Sequence, residues 1–337
     1  MKKLARYFQV GAIAVMIGLF LTACGGGGSS STSAPAGTAP PEPTVLASGR
    51  LTPMGIAVDS TSVYWSEANG GTINKIPIGG GTVTTLASGL KTPMDIAVDS
   101  TSVYWGEWVS TAADAGVLKK VGINGGTVTI LAGPTLGTGL NYPAYIALDA
   151  DNVYWVDSTG VSLLKIAKDG GTLVKLDTSL VEPIGVAVDS TSVYYTEAPG
   201  GGTGSIRKIG KNGGAVTTLA SGLVGPWGVA VDSTNVYFSV TNTGTINKVP
   251  INGGAVTTLA SGLNSPLGIA IDSTNVYWAE NGNEANPAGA IKMVPINGGA
   301  VTVLASSPTG APIGIAVDST NVYWTEENGG TVNQMPK

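Results

Sequence analysis

The stretch Pro53-Met-Gly-Ile-Ala-Val-Asp-Ser-Thr-Ser-Val-Tyr-Trp65 constrains this chain most, because recognisable copies begin at Pro93, Pro143, Pro183, Pro226, Pro266 and Pro312. Each copy holds two short apolar runs, residues 56–58 and 63–65 in the first, around a polar turn that opens with Asp and reads Asp-Ser-Thr-Ser in the first. That is the pattern of a tight β-hairpin. The runs are apolar at consecutive positions rather than alternating, so both faces of each small sheet have to be covered by protein. Sheets stacked against sheets around an axis meet that demand.

The opening prolines are spaced 40, 50, 40, 43, 40 and 46 residues apart, a period that suits four-stranded blades and not helical repeats. In the first unit the strands read as A (56–58), B (63–67), C (72–78) and D (83–87). Between C and D lies Gly-Gly-Gly at 79–81, replaced by Asn-Gly-Gly at 124–126, 212–214, 252–254 and 297–299, where a tight turn needs positive φ. The last unit stops at Lys337 after its third strand, while the sequence Thr44-Val-Leu-Ala-Ser48 is an orphan copy of the fourth. The chain is therefore expected to be an all-β, seven-bladed β-propeller of four-stranded blades over residues 44–337, its ring closed by the N-terminal strand.

A family resemblance rests on Tyr64-Trp-Ser-Glu67, Tyr104-Trp-Gly-Glu107, Tyr154-Trp-Val-Asp157, Tyr194-Tyr-Thr-Glu197, Tyr277-Trp-Ala-Glu280 and Tyr323-Trp-Thr-Glu326. These resemble the YWTD repeat of low-density-lipoprotein-receptor propellers, and the Pro-x-Gly-Ile-Ala-Val-Asp opening is similar to NHL-like and virginiamycin-lyase-like propellers. The resemblance implies blade architecture and leaves activity open, because these families include binding proteins and enzymes. The chain departs from it with seven repeats where YWTD and NHL domains commonly have six, and with Tyr237-Phe-Ser-Val240, which lacks the acid.

Residues 1–23 read as an export signal, with Lys2, Lys3 and Arg6 before an apolar core. It ends in Leu21-Thr22-Ala23-Cys24, which resembles the lipobox of bacterial lipoproteins and makes Cys24, the only cysteine, the expected lipidation site. An ordinary signal peptide or an uncleaved anchor is the alternative. Residues 24–43 form a Gly/Ser/Pro tether without the apolar content to fold. The expected address is the bacterial cell envelope, lipid-anchored, at the outer membrane if the host has one. Removing the signal leaves 14 basic against 22 acidic residues, a net charge of −8, which argues against nucleic acid and leaves the lipid as the only membrane contact.

The acids ending strand B (Glu67, Glu107, Asp157, Glu197, Glu280, Glu326) are expected to pair across the hairpin with Lys75, Lys120, Lys165, Lys208 and Lys248, with Lys292 one position off. The aspartates of the A–B turns recur in all seven copies and read as turn formers. No histidine is present, which removes the usual general base and any Ser-His or Cys-His pair; virginiamycin-type lyases rely on histidine, so that activity does not follow from the resemblance. Gluconolactonase-like propellers hold a divalent metal on several channel side chains. Here the corresponding position is Gly55, Asp95, Tyr145, Gly185, Gly228, Gly268 and Gly314, a single carboxylate where calcium prefers six to eight oxygens. No catalytic residue, metal or cofactor is assigned.

Strand A runs from one face to the other, so the D–A and B–C loops share a face, and the long insertions (108–116, 133–142, 198–204, 281–289, 306–311) all fall on it. Insertions gathered on one face of a repeat protein mark a binding face or neutral drift. Trp108, Asp95, Tyr145 and Trp227 each depart from their repeat consensus and are the candidate ligand-binding residues, although the apolar set that includes Trp227 could simply pack the channel mouth. The expected function is a monomeric binding scaffold for a protein or glycan partner, the alternative being an exported lactonase-like hydrolase or lyase.

Overall fold

The computed structural model describes residues 42–109, 115–200, 202–283, 286–307 and 310–337. The signal, Cys24 and nearly all of the tether lie outside these residues. Residues 43–337 form one compact unit of seven four-stranded antiparallel sheets. In the first, strands A to D are Pro53–Val58, Ser62–Glu67, Thr72–Pro77 and Thr84–Ala87. Each strand A lies beside that of the next blade, and the seventh lies beside the first. The only helix among the described residues is a 3-10 turn, Pro134–Leu136.

The seventh blade takes Pro312–Val317, Asn321–Glu326 and Thr331–Pro336 from the C-terminus and Thr44–Ala47 from the N-terminus. Thr44 stands opposite Gln334 and Ala47 opposite Val332, so the expected closure is present.

The core explains the repeated Tyr-Trp pair. Adjacent strand residues face opposite sides of a sheet, and Tyr64 packs toward the second blade with Trp105, Val103 and Ile96, while Trp65 packs back against Tyr323 and Val332 of the seventh. Each boundary thus receives a tyrosine from one blade and a large ring from the next. Both rings bring a polar tip that must be satisfied. Tyr64 donates its hydroxyl proton to Asp59 at 2.7 Å, and Trp65 donates its indole N–H to Glu67 at 2.9 Å. Asp59 also accepts the N–H groups of Thr61 and Ser62, which fixes the A–B turn.

The expected pairing of the strand-B acids with Lys75 and its counterparts is not what forms. Lys75, Lys120, Lys165, Lys208 and Lys248 instead donate to carbonyls of the next blade, those of Ile123, Lys168, Lys211, Ile251 and Ile296, at 2.6–3.0 Å. Register is the reason: Lys75 stands opposite Tyr64 and shares its face, whereas Glu67 lies on the other face with Trp65 and Asn74. Among the described residues the acids meet a strand-C cation only where the Asn74 position is basic, as in Glu107 with Lys119, Glu197 with Arg207 and Glu280 with Lys292, at 2.9, 2.7 and 2.9 Å, while Glu67 reaches Arg50 of the preceding loop at 3.4 Å. Lys292, which looked displaced by one position, is in the pairing register.

Candidate functional site at the channel mouth

The loop faces follow from backbone bonds. Ala68 N–H donates to Thr52 O at 2.9 Å, and the same bond recurs from Trp108, Ser158, Ala198, Thr241, Asn281 and Glu327, so the B–C and D–A loops share one face. On the opposite face Ile78 N–H donates to Thr61 O, joining the C–D and A–B turns.

The strand-B acids belong to the scaffold of that first face. Glu67, Glu107, Glu197 and Glu280 accept backbone N–H groups of Leu51, Lys91, Val181 and Asn264 at 3.0–3.3 Å, two residues before each opening proline. This clamp accompanies a left-handed residue just before the proline: Thr52, Thr92, Glu182, Ser265 and Ala311 have φ of 42–57°, a conformation that costs a residue with a Cβ of order 1–3 kcal/mol. In the fifth blade the acid is Val240, and Gly225 supplies the conformation at φ 75°. In the third the shorter Asp157 accepts Asn141 and Tyr142 N–H at 2.8 and 2.7 Å.

The same alternation between rule and departure shapes the channel. Where strand A carries glycine, the next blade comes so close that a Cβ on Gly55 would lie 2.7 Å from Asp95 Cα and one on Gly185 2.5 Å from Trp227 O. A strand-B hydroxyl spans the gap: Ser66, Thr196, Ser239 and Thr325 each accept the glycine N–H and donate to the next blade's carbonyl, at Met94, Trp227, Leu267 and Met54 respectively. The second and third blades have Gly106 and Val156 at that position, and there Asp95 and Tyr145 replace the glycine. Asp95 Oδ2 makes a substitute bridge, accepting Ile146 N–H of the third blade at 3.1 Å.

Three of the four candidate residues therefore meet. Asp95, Tyr145 and Trp227 line a cavity of about 240 Å³ with Met54, Met94 and Ile313. Tyr145 reaches past Gly185 to meet Trp227 edge-on, with ring centroids 6.3 Å apart at 89°, and the Trp227 indole N–H donates to its hydroxyl. Burial pushes the Asp95 carboxyl up to about 7 against the N–H groups of Ile146 and Ile96 that favour its charge. Burial, then the nearby Tyr142 and Asp95, hold the Tyr145 phenol well above its usual value.

Trp108 is not in the cavity. It is 38% exposed on the second B–C loop and sits edge-on to Tyr142 at 6.0 Å, whose hydroxyl lies 3.8 Å from Met94 Sδ. Tyr142 thus links the exposed ring to the cavity wall. In the sequence it is the only aromatic residue immediately preceding an opening proline, a departure that marks it in the same way as the other four. Other exposed apolar side chains on the D–A and B–C loops are Leu51, Val109, Leu136, Val161, Val181 and Val224. Among the described residues no three acidic or thiol side chains converge as a metal site would require.

No family model matches the chain, and no curated protein matches it either. Solved structures do. Virginiamycin B lyase from Staphylococcus aureus superposes with a TM-score of 0.68 at 17% identity, covering 88% of this chain and 98% of that one. A catalytically inactive histidine-to-alanine variant of that lyase with quinupristin gives 0.70 at 17%, with the same coverage. A nidogen/laminin complex gives 0.57 at 20%, covering 71% of this chain and 90% of that one. At these identities the likeness is one of fold: a β-propeller, with a YWTD-type neighbour among its relatives.

Proposed function

We propose that the chain is a propeller binding module, held in a bacterial cell envelope by a lipid on Cys24, whose insertion face engages a protein or glycan partner. The observation that carries this reading is Trp108, a large ring 38% exposed on a B–C loop, with Leu51, Val109, Leu136 and Val181 exposed on loops of the same face, whereas the C–D turns of the opposite face expose the smaller Val216, Val256 and Val301. The opposite face presents Asp turns closed by their own Thr, Ser and Tyr partners. An exposed aromatic ring with apolar side chains on loops of the same face is what recognition surfaces supply. The module acts as a monomer without nucleic acid partners, in keeping with its acidic balance.

Capture from envelope extracts tests it. The tagged protein should retain a partner that Trp108→Ala weakens at least about tenfold, as expected for a central aromatic anchor, while Asp232→Lys on the turn face leaves capture intact. Loss in the Asp232 variant with retention in the Trp108 variant would place the surface on the wrong side.

The competing reading, an exported hydrolase or lyase, is favoured by Asp95, whose carboxyl is pushed up to about 7 by burial in the cavity, toward the range where a general base operates best. The residue replaced in the inactive lyase variant is a histidine, and this chain has none. Turnover of a lactone panel that disappears in Asp95→Asn would establish the enzyme reading.

A further inference from the structure

The cavity at the channel mouth has a composition that the blade repeat does not require. At the Asp95 position five of the seven blades carry glycine, and a neutral hydroxyl bridges neighbouring blades at four boundaries. The Asp95 bridge to Ile146 N–H could be made by any acceptor, so the bridge does not explain a negative charge. Among the described residues no lysine or arginine forms an ion pair with Asp95. Around it stand the rings of Tyr145 and Trp227 and the apolar side chains Met54, Met94 and Ile313.

We infer that this cavity binds a small organic ammonium ion, with Asp95 as its counter-charge and Trp227 and Tyr145 as the rings that face the cation's carbon-bound surface. The alternatives fit less well. An inorganic divalent cation needs six or more oxygens, and the lining offers one carboxylate among hydrocarbon. An anion would meet the Asp95 charge. A neutral sugar needs many hydrogen-bonding partners, whereas the lining's polar side chains are limited to Asp95, Tyr145 and Trp227. An alkylammonium uses everything present: a charge pairs it with the carboxylate, its methyl or methylene groups contact methionine and isoleucine, and indole is the best cation–π surface. The volume, about 240 Å³, is below the ~300–1,000 Å³ of sites for drug-sized ligands, so the ligand is small.

The inference deepens the binding-module reading by giving the channel its own ligand, and the two fail separately: Trp108→Ala tests the face and leaves Asp95 untouched. The probes are choline and its uncharged carbon isostere, dimethylbutanol, titrated calorimetrically into the full-length protein at pH 8. Choline should bind at least about tenfold more tightly than dimethylbutanol. Asp95→Asn, whose amide oxygen can still accept from Ile146, should remove that preference, and Trp227→Leu should weaken choline at least about fivefold. Binding should also weaken from pH 8 to pH 6 as Asp95 takes up its proton. Of the other titratable groups at the mouth, the Tyr142 and Tyr145 phenols stay neutral in this range, both being raised by burial. Glu327 on the seventh blade, also raised by burial, is separated by repeating the profile in Asp95→Asn. Equal binding of the two probes, unchanged choline affinity in Asp95→Asn, or no choline binding overturns the inference. If Asp95→Asn does not fold, the wild-type pH profile and Trp227→Leu decide.

Discussion

Tyr195 donates its hydroxyl proton to Asp177 at 2.7 Å across the boundary between the third and fourth blades. Both residues are departures from the repeat: Tyr195 stands where five blades have tryptophan, and Asp177 where strand D elsewhere has alanine. The fifth blade makes the opposite change, with Phe238 in the ring position and Val240 in place of the acid. At these two positions the ring with a polar tip has a partner for it and the ring without one has lost the acid, as the cost of burying an unpaired polar group favours.

The pair should therefore be energetically coupled. Tyr195→Phe leaves Asp177 with the Ser179 bonds alone and should lower unfolding free energy by about 1–3 kcal/mol. Tyr195→Trp with Asp177→Ala, which restores the repeat, should cost less than the sum of its single changes in a urea-denaturation cycle. Additive losses would mean that the two residues act independently.

Trp155 provides a contrast within one chain. Its indole nitrogen is buried without a partner, because Asp157 is one methylene shorter than the glutamates that serve Trp65, Trp105, Trp278 and Trp324. Trp155→Phe should accordingly be better tolerated than Trp105→Phe, which deprives Glu107 of a 2.8 Å donor. Thermal melts of the two variants compare them directly.

Deleting residues 44–48 removes the fourth strand of the seventh blade along with Ala47 and Leu46 from the cluster that joins the seventh and first blades. Loss of the strand ladder together with an apolar side chain worth about 1.5–3 kcal/mol when fully buried should lower the melting temperature by several degrees or more. An unchanged melting temperature would contradict the closure.

Acid should act through the turn face. Burial alone would raise Asp99, Asp149 and Asp272, but hydrogen bonds from Lys168, Lys211 and Lys337 and from the turn residues outweigh it and hold all three carboxyls well below the usual range. A depressed folded-state value gives stability that is present above about 3.9, the unfolded value, and is lost as pH falls below it. Asp95 has the opposite sign. Its raised value makes the fold lose stability as pH climbs from about 3.9 toward about 7, so Asp95→Asn should raise the melting temperature at pH 8 and change it little at pH 4. Lys211→Met should flatten the acid limb of the melting profile and leave the Asp95 effect in place.

Metabolic labelling with a fatty-acid analogue should mark the wild type and not Cys24→Ser. No label on the wild type would remove the lipid anchor from the proposal.

The sequence was legible where the repeat speaks in unison. Seven Asp turns, seven opening prolines and an orphan fourth strand at residues 44–48 were enough for blade number and closure. Contacts between blades were not legible, because Lys75 and Glu67 look like a hairpin pair until register shows them on opposite faces of the sheet. The site was half legible. Departure from consensus picked out Asp95, Tyr145 and Trp227, which meet, but the same rule grouped them with Trp108, which sits outside on Tyr142. Departure shows that a position is released from the repeat; it does not show where the side chain goes.

The closing strand also fixes the face of the ring on which Thr44 lies. Thr44 stands opposite Gln334, toward the C–D end of the seventh blade, and the chain runs from there through Ala47 to Arg50, beside Gly330 in the B–C loop. The polypeptide thus enters at the rim of the turn face. Thr44 therefore lies on the face opposite the loops that bear Trp108 and the mouth of the cavity.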